Sequence, residues 1–305
     1  MAKVSIIIPS RNEPFLRPTV VDLLAKATGD VEVIAILDGW WPDPQLPDDP
    51  RLRLLHWGEV KGLRLGINAA ARIATGEYLM KIDAHCAVAQ GYDEALQRDC
   101  DKDWIVVPEK YSLEPTTWAR FKPPWQYFYL TFPYDPTFEY IGLHDKNFGP
   151  GKNHANAAKP IDDIITYQGS CWFLRRDYFW RLLPNGMDHE HLYYAQEPQE
   201  LGLRAWLTGG RVVVNKNTWY AHLHKGRAHG RGFPRYKGQW TRAIKWSTEY
   251  WMNNKHLQSP TQVHDIQWLV AKFWDELHNA PSYAWPDDWQ DPKYRALFNE
   301  QGDRV

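Results

Sequence analysis

Residues 76–85 of the chain read Gly76-Glu77-Tyr78-Leu79-Met80-Lys81-Ile82-Asp83-Ala84-His85. The mainly apolar run predicts a buried β-strand that ends abruptly in two side chains able to bind a metal ion. Side chains two positions apart on an extended strand point the same way, so Asp83 and His85 are expected to converge. A carboxylate oxygen and an imidazole nitrogen together suit a divalent cation such as Mn²⁺. Most Asp-x-His triplets are only polar strand ends, so this interpretation depends on what the rest of the chain supplies.

Strand and helix patterns alternate through the first hundred residues. The predicted strands are residues 3–9, 31–37, 51–56, 78–83 and 104–108, and the predicted helices are residues 15–27, 61–74 and 91–101. Short apolar strands separated by helices imply a parallel sheet with crossover connections. Ligands of such sheets bind beyond the carboxyl ends of the strands. Because Asn12, Asp38 and Asp83 all fall at those ends, the pattern favours a nucleotide crevice over three unrelated polar loops.

The later part of the chain is less regular. Residues 111–161 are rich in proline, glycine and aromatic residues without clear periodicity, and a loop of that length inside a compact domain is usually functional. Further strands are predicted at residues 164–174, 211–215 and 219–224, and further helices at residues 176–183, 197–208, 239–253 and 262–279. No internal repeat and no linker divides the chain.

Composition narrows the function classes. Lys and Arg total 36 against 37 Asp and Glu, so net charge gives no indication of a nucleic-acid or membrane partner. Cys86, Cys100 and Cys171 form neither a spaced ligand set nor a disulfide framework, which predicts a reducing, cytoplasmic setting. The apolar run before Pro9 is too short for a signal peptide or an anchor. We therefore expect no membrane association, and no obligate protein partner is evident.

Three stretches, taken together, resemble the family 2 glycosyltransferases and are most similar to the catalytic domain of polypeptide N-acetylgalactosaminyltransferases. The first runs from Val4 to Glu13 and continues at Ile36-Leu37-Asp38-Gly39. The second runs from Lys61-Gly62-Leu63 to Asn68, and then from Ala74 to Cys86. The third comprises Gly169-Ser170-Cys171-Trp172-Phe173, Glu197 with Arg204 to Gly210, and Ala221-His222. Their order and spacing make the resemblance specific.

The resemblance implies a GT-A fold, the α/β fold of nucleotide-diphospho-sugar transferases. Its mostly parallel central sheet is flanked by helices, and a helical C-terminal extension follows. We expect a glycosyltransferase domain at residues 1–224, with a nucleotide-binding half at 1–108 and an acceptor and metal half at 109–224. Residues 225–305 are then a basic lid loop and an aromatic-rich helical extension.

Roles follow for the matched residues. Asp83, His85 and His222 are expected to bind Mn²⁺ or Mg²⁺ bridging the donor diphosphate, with open positions for phosphate oxygens. Asp83 and Glu197 are the expected catalytic residues. Asp38 is expected on the uracil or ribose, although an Asp before Gly39 can also simply form a turn. The full set of expected donor-binding residues is Pro9, Arg11, Glu13, Asp38, Gly62, Arg64, Asn68, Ala84, Gly169 and Trp172.

Two departures from the family pattern affect these roles. The Arg often found just before Asn68 is Ile67 here, and Arg64 is expected to substitute as a diphosphate partner. Inverting relatives carry Glu-Asp where this chain has Glu197-Pro198, so the usual base position cannot ionise. This favours retention of configuration, with Glu197 positioning the acceptor or the sugar. A base role for Glu197 or Glu200 remains open, as does a plain helix-terminal role.

Residues 225–245 contain many lysines and arginines and no acidic residue. The residues expected to form a lid or to contact the acceptor are Lys225, Arg227, Arg231, Arg235, Lys237 and Trp240. One interpretation is a lid with glycine hinges that closes over the donor diphosphate. The other is a groove for a polyanionic acceptor, with cations on phosphates and rings on bases. The two can coexist, and the insertion at residues 118–140 would then face the loop.

The leading hypothesis is a metal-dependent glycosyltransferase using a nucleotide sugar, expected to be a UDP-sugar. The predicted acceptor is a hydroxymethylated pyrimidine in DNA, as in phage genome modification, which requires the base to leave the stack. A small-molecule or protein hydroxyl is the alternative acceptor. A non-catalytic sugar-nucleotide-binding protein is the alternative of another class. A nucleotidyltransferase would need a glycine-rich phosphate loop, which Ser10-Arg11-Asn12-Glu13 is not.

Overall fold

A computed structural model describes residues 2–134, 142–149, 156–225, 237–258 and 261–296. The strands are β1 Val4–Ser10, β2 Val31–Asp38, β3 Leu52–Trp57, β4 Tyr78–Ile82, β5 Cys86–Val88, β6 Trp104–Glu114, β7 Ala119–Trp125, β8 Phe128–Leu130, β9 Asp145–Asn147, β10 Ile161–Asp163, β11 Cys171–Arg175 and β12 Arg211–His222. The helices are α1 Leu16–Lys26, α2 Leu63–Ile73, α3 Tyr92–Arg98, α4 Arg176–Leu182, α5 Arg204–Leu207, α6 Lys237–Met252, α7 Ile266–Lys272, α8 Trp274–His278 and α9 Pro292–Arg295. A π-helical turn, Gln199–Leu203, leads into α5.

The central sheet has the strand order β10-β12-β6-β11-β4-β1-β2-β3, with β5 paired to β12 and β7 paired to β6. Strand β1 runs parallel to both β2 and β4, and β2 to β3, while β12 is parallel to β6. Strand β11 is antiparallel to both β4 and β6. The predicted α/β architecture, with a central sheet, flanking helices and C-terminal helices, is confirmed. Among the described strands the sheet is mixed, since β10 and β5 pair antiparallel with β12, and β7 with β6, in addition to the antiparallel pairs of β11.

Burial explains why these strands read as continuous apolar runs. Every residue of β2 and β4 is buried, as expected for parallel strands with both faces covered. One face packs Ile7, Ile34 and Leu79 against α2, α4 and the C-terminal helices. The other face packs its alternate residues against α1 and α3. The two apolar layers hold β1, β2 and β4 in register, so the loops after these strands meet at one edge.

The structure differs from the sequence prediction at several elements. Residues 111–161 are not one long loop, because β6 continues to Glu114 and β7, β8 and β9 follow. The two strands predicted at 211–215 and 219–224 are one strand, β12, with an irregularity between Asn215 and Trp219. Of the strand predicted at 164–174, only the part from Cys171 onward forms a strand, β11. The single helix predicted at 262–279 is two helices, α7 and α8. Across the described ranges, no helix combines the length and apolar character needed to cross a bilayer.

Gly76 allows β4 to begin close to β1. A Cβ atom there would lie 2.7 Å from both the Lys3 carbonyl oxygen and the Ser5 amide nitrogen. Both are backbone atoms of a paired strand, so they cannot swing aside as a flexible side chain would. The close approach therefore requires glycine for steric reasons.

We expect Gly76→Ala to destabilise the fold by about 1–3 kcal/mol, the usual cost of forcing extra atoms into a packed site. Urea unfolding monitored by circular dichroism measures the change. Gly58→Ala is the matched control, because a Cβ at Gly58 meets no atom within 4 Å. Equal free energies of unfolding for both variants would contradict the packing argument.

Candidate metal and nucleotide site

Asp83, His85 and His222 converge at the carboxyl edge of the sheet. Asp83 follows β4, His85 precedes β5, and His222 ends β12 opposite Cys86 of β5. The His222 Nε2 atom lies 3.1 Å from His85 Nε2 and 3.3 Å from Asp83 Oδ2. The His85 Nε2 to Asp83 Oδ2 distance is 3.9 Å. Among the described residues this is the one group of three such side chains close enough to share a metal ion.

The donor atoms fit a divalent cation. Ligands about 2.1 Å from an octahedral ion stand roughly 3.0 Å apart in adjacent positions. Two of the observed separations, 3.1 and 3.3 Å, are close to that value, and the third is 3.9 Å. Two imidazole nitrogens and one carboxylate oxygen on one side of an ion leave its other positions open. The donor set therefore fits the predicted Asp-His-His site, while its chemistry accommodates more than one divalent metal.

Electrostatics favour the metal-binding protonation states of Asp83 and His222. Burial alone would raise the pKa of Asp83, but Lys81 and the two histidines hold it well below its usual range. Burial lowers the pKa of His222 well below its ordinary value. An ionised carboxylate and a neutral imidazole are the forms that coordinate metals.

Glu13 lies beside the candidate metal site, next to His85, and does not line the crevice described below. Its Oε2 atom is 3.1 Å from His85 Nδ1, and Lys225 forms an ion pair with the same oxygen. Donation from Nδ1–H to a carboxylate fixes the imidazole tautomer and leaves Nε2 free to bind a metal. In this structure Glu13 is placed to orient His85, and its donor-binding role stays a prediction.

Glu197 is held by a lysine that the sequence analysis did not select. The Lys81 Nζ atom lies 2.8 Å from Asp83 Oδ1 and 3.3 Å from Glu197 Oε1, and it donates to the Gly169 carbonyl oxygen. The indole of Trp172 donates to the same Glu197 oxygen. Burial raises the pKa of Glu197 against the opposing effect of Lys81. Gly169 and Trp172 were expected to contact the donor. In the structure Gly169 accepts from Lys81, and Trp172 donates to Glu197. A lysine inside an otherwise apolar strand was the available signal.

A second buried lysine, Lys110, shows by contrast what the two carboxylates do for Lys81. Lys110 on β6 is 2 % exposed, and its Nζ lies 3.8 Å from the centre of the Trp125 ring and 2.8 Å from His224 Nε2. It forms no ion pair with any carboxylate among the described residues. Burial lowers its pKa to about 7. Lys81, between two carboxylates, has its pKa raised even though burial opposes the charge.

A crevice of about 400 Å³ opens beside the ends of β1 and β2. The predicted donor-binding residues that line it are Pro9, Arg11, Asp38, Gly62 and Arg64. The Asp38 carboxylate accepts hydrogen bonds from the Lys61 and Gly62 amides, so it also shapes the loop before α2. The sequence analysis missed a group from later in the chain, which comprises His189, Tyr193, Tyr194 and Gln239. Ala84 is 2 % exposed and does not line this crevice.

Arg64 and Asn68 anchor the segment at residues 187–197, which supplies His189, Tyr193 and Tyr194 of this later group. Arg64 forms an ion pair with Glu200, both side chains being at most 2 % exposed, and donates to the Ala195 carbonyl oxygen. Asn68 accepts from the Met187 amide at 2.7 Å and donates to the Met187 carbonyl oxygen at 3.0 Å. Their side chains therefore hold a crevice wall, where the sequence analysis expected contacts with the donor.

The predicted lid is only partly within the described residues. Lys225 is committed to Glu13, and Trp240 is 37 % exposed with its ring edge against His144. Arg227, Arg231 and Arg235 lie outside the described residues, and only the backbone of Lys237 is described. The lid and the acceptor groove both stay predictions. Trp125 belongs to the insertion predicted to face the lid, and its ring packs against His224, the residue just before the lid.

The architecture is that of a GT-A transferase. The crystal structure of GalNAc-T7 with UDP, GalNAc and Mn²⁺ superimposes with a TM-score of 0.65 at 14 % identity, covering 92 % of this chain and 58 % of that one. The predicted GT-A fold is confirmed. The family described as Glycosyl transferase family 2 matches residues 5–183, more than half of the chain. The chain belongs to that family, and the predicted family is confirmed.

Curated relatives agree with this assignment. The chain is 31 % identical over 160 residues to the probable N-acetylgalactosaminyltransferase 8 of Caenorhabditis elegans, covering 52 % of this chain and 36 % of the relative. It is 25 % identical over 254 residues to the putative polypeptide N-acetylgalactosaminyltransferase 13 of Drosophila melanogaster, covering 76 % and 43 %. The chain thus spans less than half the length of these relatives.

We expect Glu13→Gln to weaken Mn²⁺ binding about 10- to 100-fold, because groups that orient a ligating histidine typically contribute that much. Calorimetric titration of the purified protein with Mn²⁺ measures the affinity. Glu77→Gln is the matched control, since Glu77 lies at the other end of β4 and pairs with Arg175. An unchanged dissociation constant for Glu13→Gln would exclude this role.

Proposed function

We propose that the chain transfers a sugar from a UDP-sugar to a hydroxyl acceptor in a metal-dependent reaction. The observation that carries this proposal is the convergence of Asp83, His85 and His222 beside the crevice. One loop joins the two regions, since the chain after β1 contributes Arg11 to the crevice and Glu13 to the metal site. A nucleotide in the crevice would therefore extend its diphosphate toward these three ligands.

The chain's residues divide the work between binding and orientation. Asp38 and the loop it fixes line the crevice proposed for the nucleotide, together with Tyr193 and Tyr194 from later in the chain. Asp83, His85 and His222 would hold a Mn²⁺ or Mg²⁺ ion, which when bound neutralises charge on the departing diphosphate. Glu197, fixed by Trp172 and Lys81, positions the sugar or the incoming hydroxyl.

Retention of configuration is the stereochemical outcome we propose. Both nearby carboxylates are already engaged, Glu197 with Lys81 and Trp172, and Glu200 with Arg64. Pro198 occupies the position that carries the base in inverting relatives. With both of these carboxylates engaged, the bond from C1 to the diphosphate oxygen breaks while the acceptor oxygen bonds to C1 on the same face. The hydroxyl proton passes to the departing diphosphate.

We expect the first-formed product to keep the anomeric configuration of the donor. The coupling constant of the anomeric proton, read by NMR during the first turnovers, distinguishes the two anomers. Water serves as acceptor in this measurement if no other hydroxyl is accepted. An inverted product would return the base role to Glu197.

The donor and metal assignments are tested by one screen. We expect hydrolysis or transfer with a UDP-sugar in the presence of Mn²⁺, loss of activity with EDTA, and recovery on adding Mn²⁺ back. His222→Ala should nearly abolish turnover while leaving the far-ultraviolet circular dichroism spectrum unchanged. Activity that is unchanged by EDTA would rule out metal dependence. Binding of UDP without turnover of any of the donors would favour the non-catalytic alternative.

A hydroxymethylated pyrimidine in DNA stays the predicted acceptor, and its support comes from the sequence of residues 225–245. The described cations of that stretch add little, because Lys225 pairs with Glu13 and Arg242 lies 5.8 Å from the Tyr193 ring. The screen therefore includes hydroxymethylated DNA at low salt, unmodified DNA and a serine- and threonine-rich peptide as separate acceptors. Transfer to the peptide alone would replace the DNA prediction with the protein alternative. Cytoplasmic location stays a prediction.

A further inference from the structure

Lys81 is the one charged residue in β4, and it is 1 % exposed. Its ammonium group contacts Asp83 Oδ1, Glu197 Oε1 and the Gly169 carbonyl oxygen. Removing a charge from water is costly unless partners compensate it, so these contacts account for a lysine at this position. Lys81 thereby joins a predicted metal ligand to the carboxylate beside the predicted sugar site.

The geometry separates the two oxygens of Asp83. Oδ1 accepts from Lys81, and Oδ2 faces His222 at 3.3 Å. The lysine therefore fixes the rotation of the carboxylate, with Oδ2 presented to the imidazoles. At the other end, Lys81 and Trp172 share Glu197 Oε1, which fixes that carboxylate as well.

We propose that Lys81 is a positioning residue that couples the metal ligand Asp83 to Glu197 and holds metal affinity below that of the three ligands alone. A cation at the metal site would lie across one carboxylate from the ammonium group, and like charges at such a distance repel. The same ammonium group keeps Glu197 oriented for transfer. The inference rests on the proposed function, because it takes Asp83 as a metal ligand and Glu197 as a group near the sugar.

This arrangement predicts opposite changes in binding and in rate when the charge is removed. For Lys81→Met we expect Mn²⁺ to bind about tenfold or more tightly, since the repulsion is lost. We expect kcat to fall about a hundredfold with the nucleotide KM little changed, because misplacing a reacting group by about 1 Å can cost that much. If the main effect of Lys81 on the metal site were instead to orient and ionise Asp83, its removal would weaken metal binding and reduce the rate together.

The experiment measures Mn²⁺ affinity by calorimetry and by the electron paramagnetic resonance signal of free Mn²⁺, without any donor present. The variants are Lys81→Met, Lys81→Gln and Lys81→Arg. Both neutral variants should bind Mn²⁺ more tightly, and the arginine variant should retain near wild-type affinity. Lys216→Met is the matched control, because Lys216 donates to the Tyr127 hydroxyl and touches none of these groups.

Unchanged or weaker Mn²⁺ binding in Lys81→Met, or a kcat within twofold of wild type, would overturn the proposal. If the neutral variants fail to fold, the arginine variant decides, and tighter Mn²⁺ binding by Lys81→Arg would also overturn the proposal. Failure of the proposed function looks different, since wild-type protein would then bind no Mn²⁺ or turn over no donor. In that case the deficit is already present before Lys81 is changed.

Discussion

Parallel pairing of β1 with both β2 and β4 is the constraint on which the site depends. The register sets Ile6 beside Val33 and Met80, so all three strands end at the same edge. The end of β2 carries Asp38 to that edge, and the loops after β1 and β4 carry Glu13 and Asp83 there. Apolar layers on both faces keep the register, because a one-residue slip would exchange the two buried faces.

Strand β12 completes the site from the far side of the sheet. It runs parallel to β6 and carries His222 to its end, where β5 pairs with it and brings His85 alongside. The predicted metal ligands therefore come from two regions, with His85 and His222 separated by 137 positions in sequence. The pairings of β12 with β6 and with β5 bring these residues close together. Contacts of Lys81 with Asp83 and of Glu13 with His85 fix their side chains.

Much of this could be predicted from the sequence, because its signals are local. Continuous apolar runs gave β1, β2 and β4, and the Asp-x-His turn after β4 indicated a metal site. The roles of Glu13, Arg64 and Asn68 could not be predicted in the same way. Each depends on a partner far away in sequence, as in the contact of Arg64 with Glu200, and no local pattern specifies such a partner. Strand β7 was hidden for another reason, since its mostly exposed residues include Pro123 and Pro124 and give no alternation.

The anchoring of residues 187–197 has a consequence for engineering. Asn68 binds Met187 at one end, and Arg64 and Glu200 hold the other, while His189, Tyr193 and Tyr194 between them face the crevice. Arg64 and Asn68 both lie in α2, so one helix holds both ends of the segment. Exchanging residues 189–194 while retaining these anchors would change the lining of the crevice and leave Asp83, His85 and His222, which lie on other elements, in place.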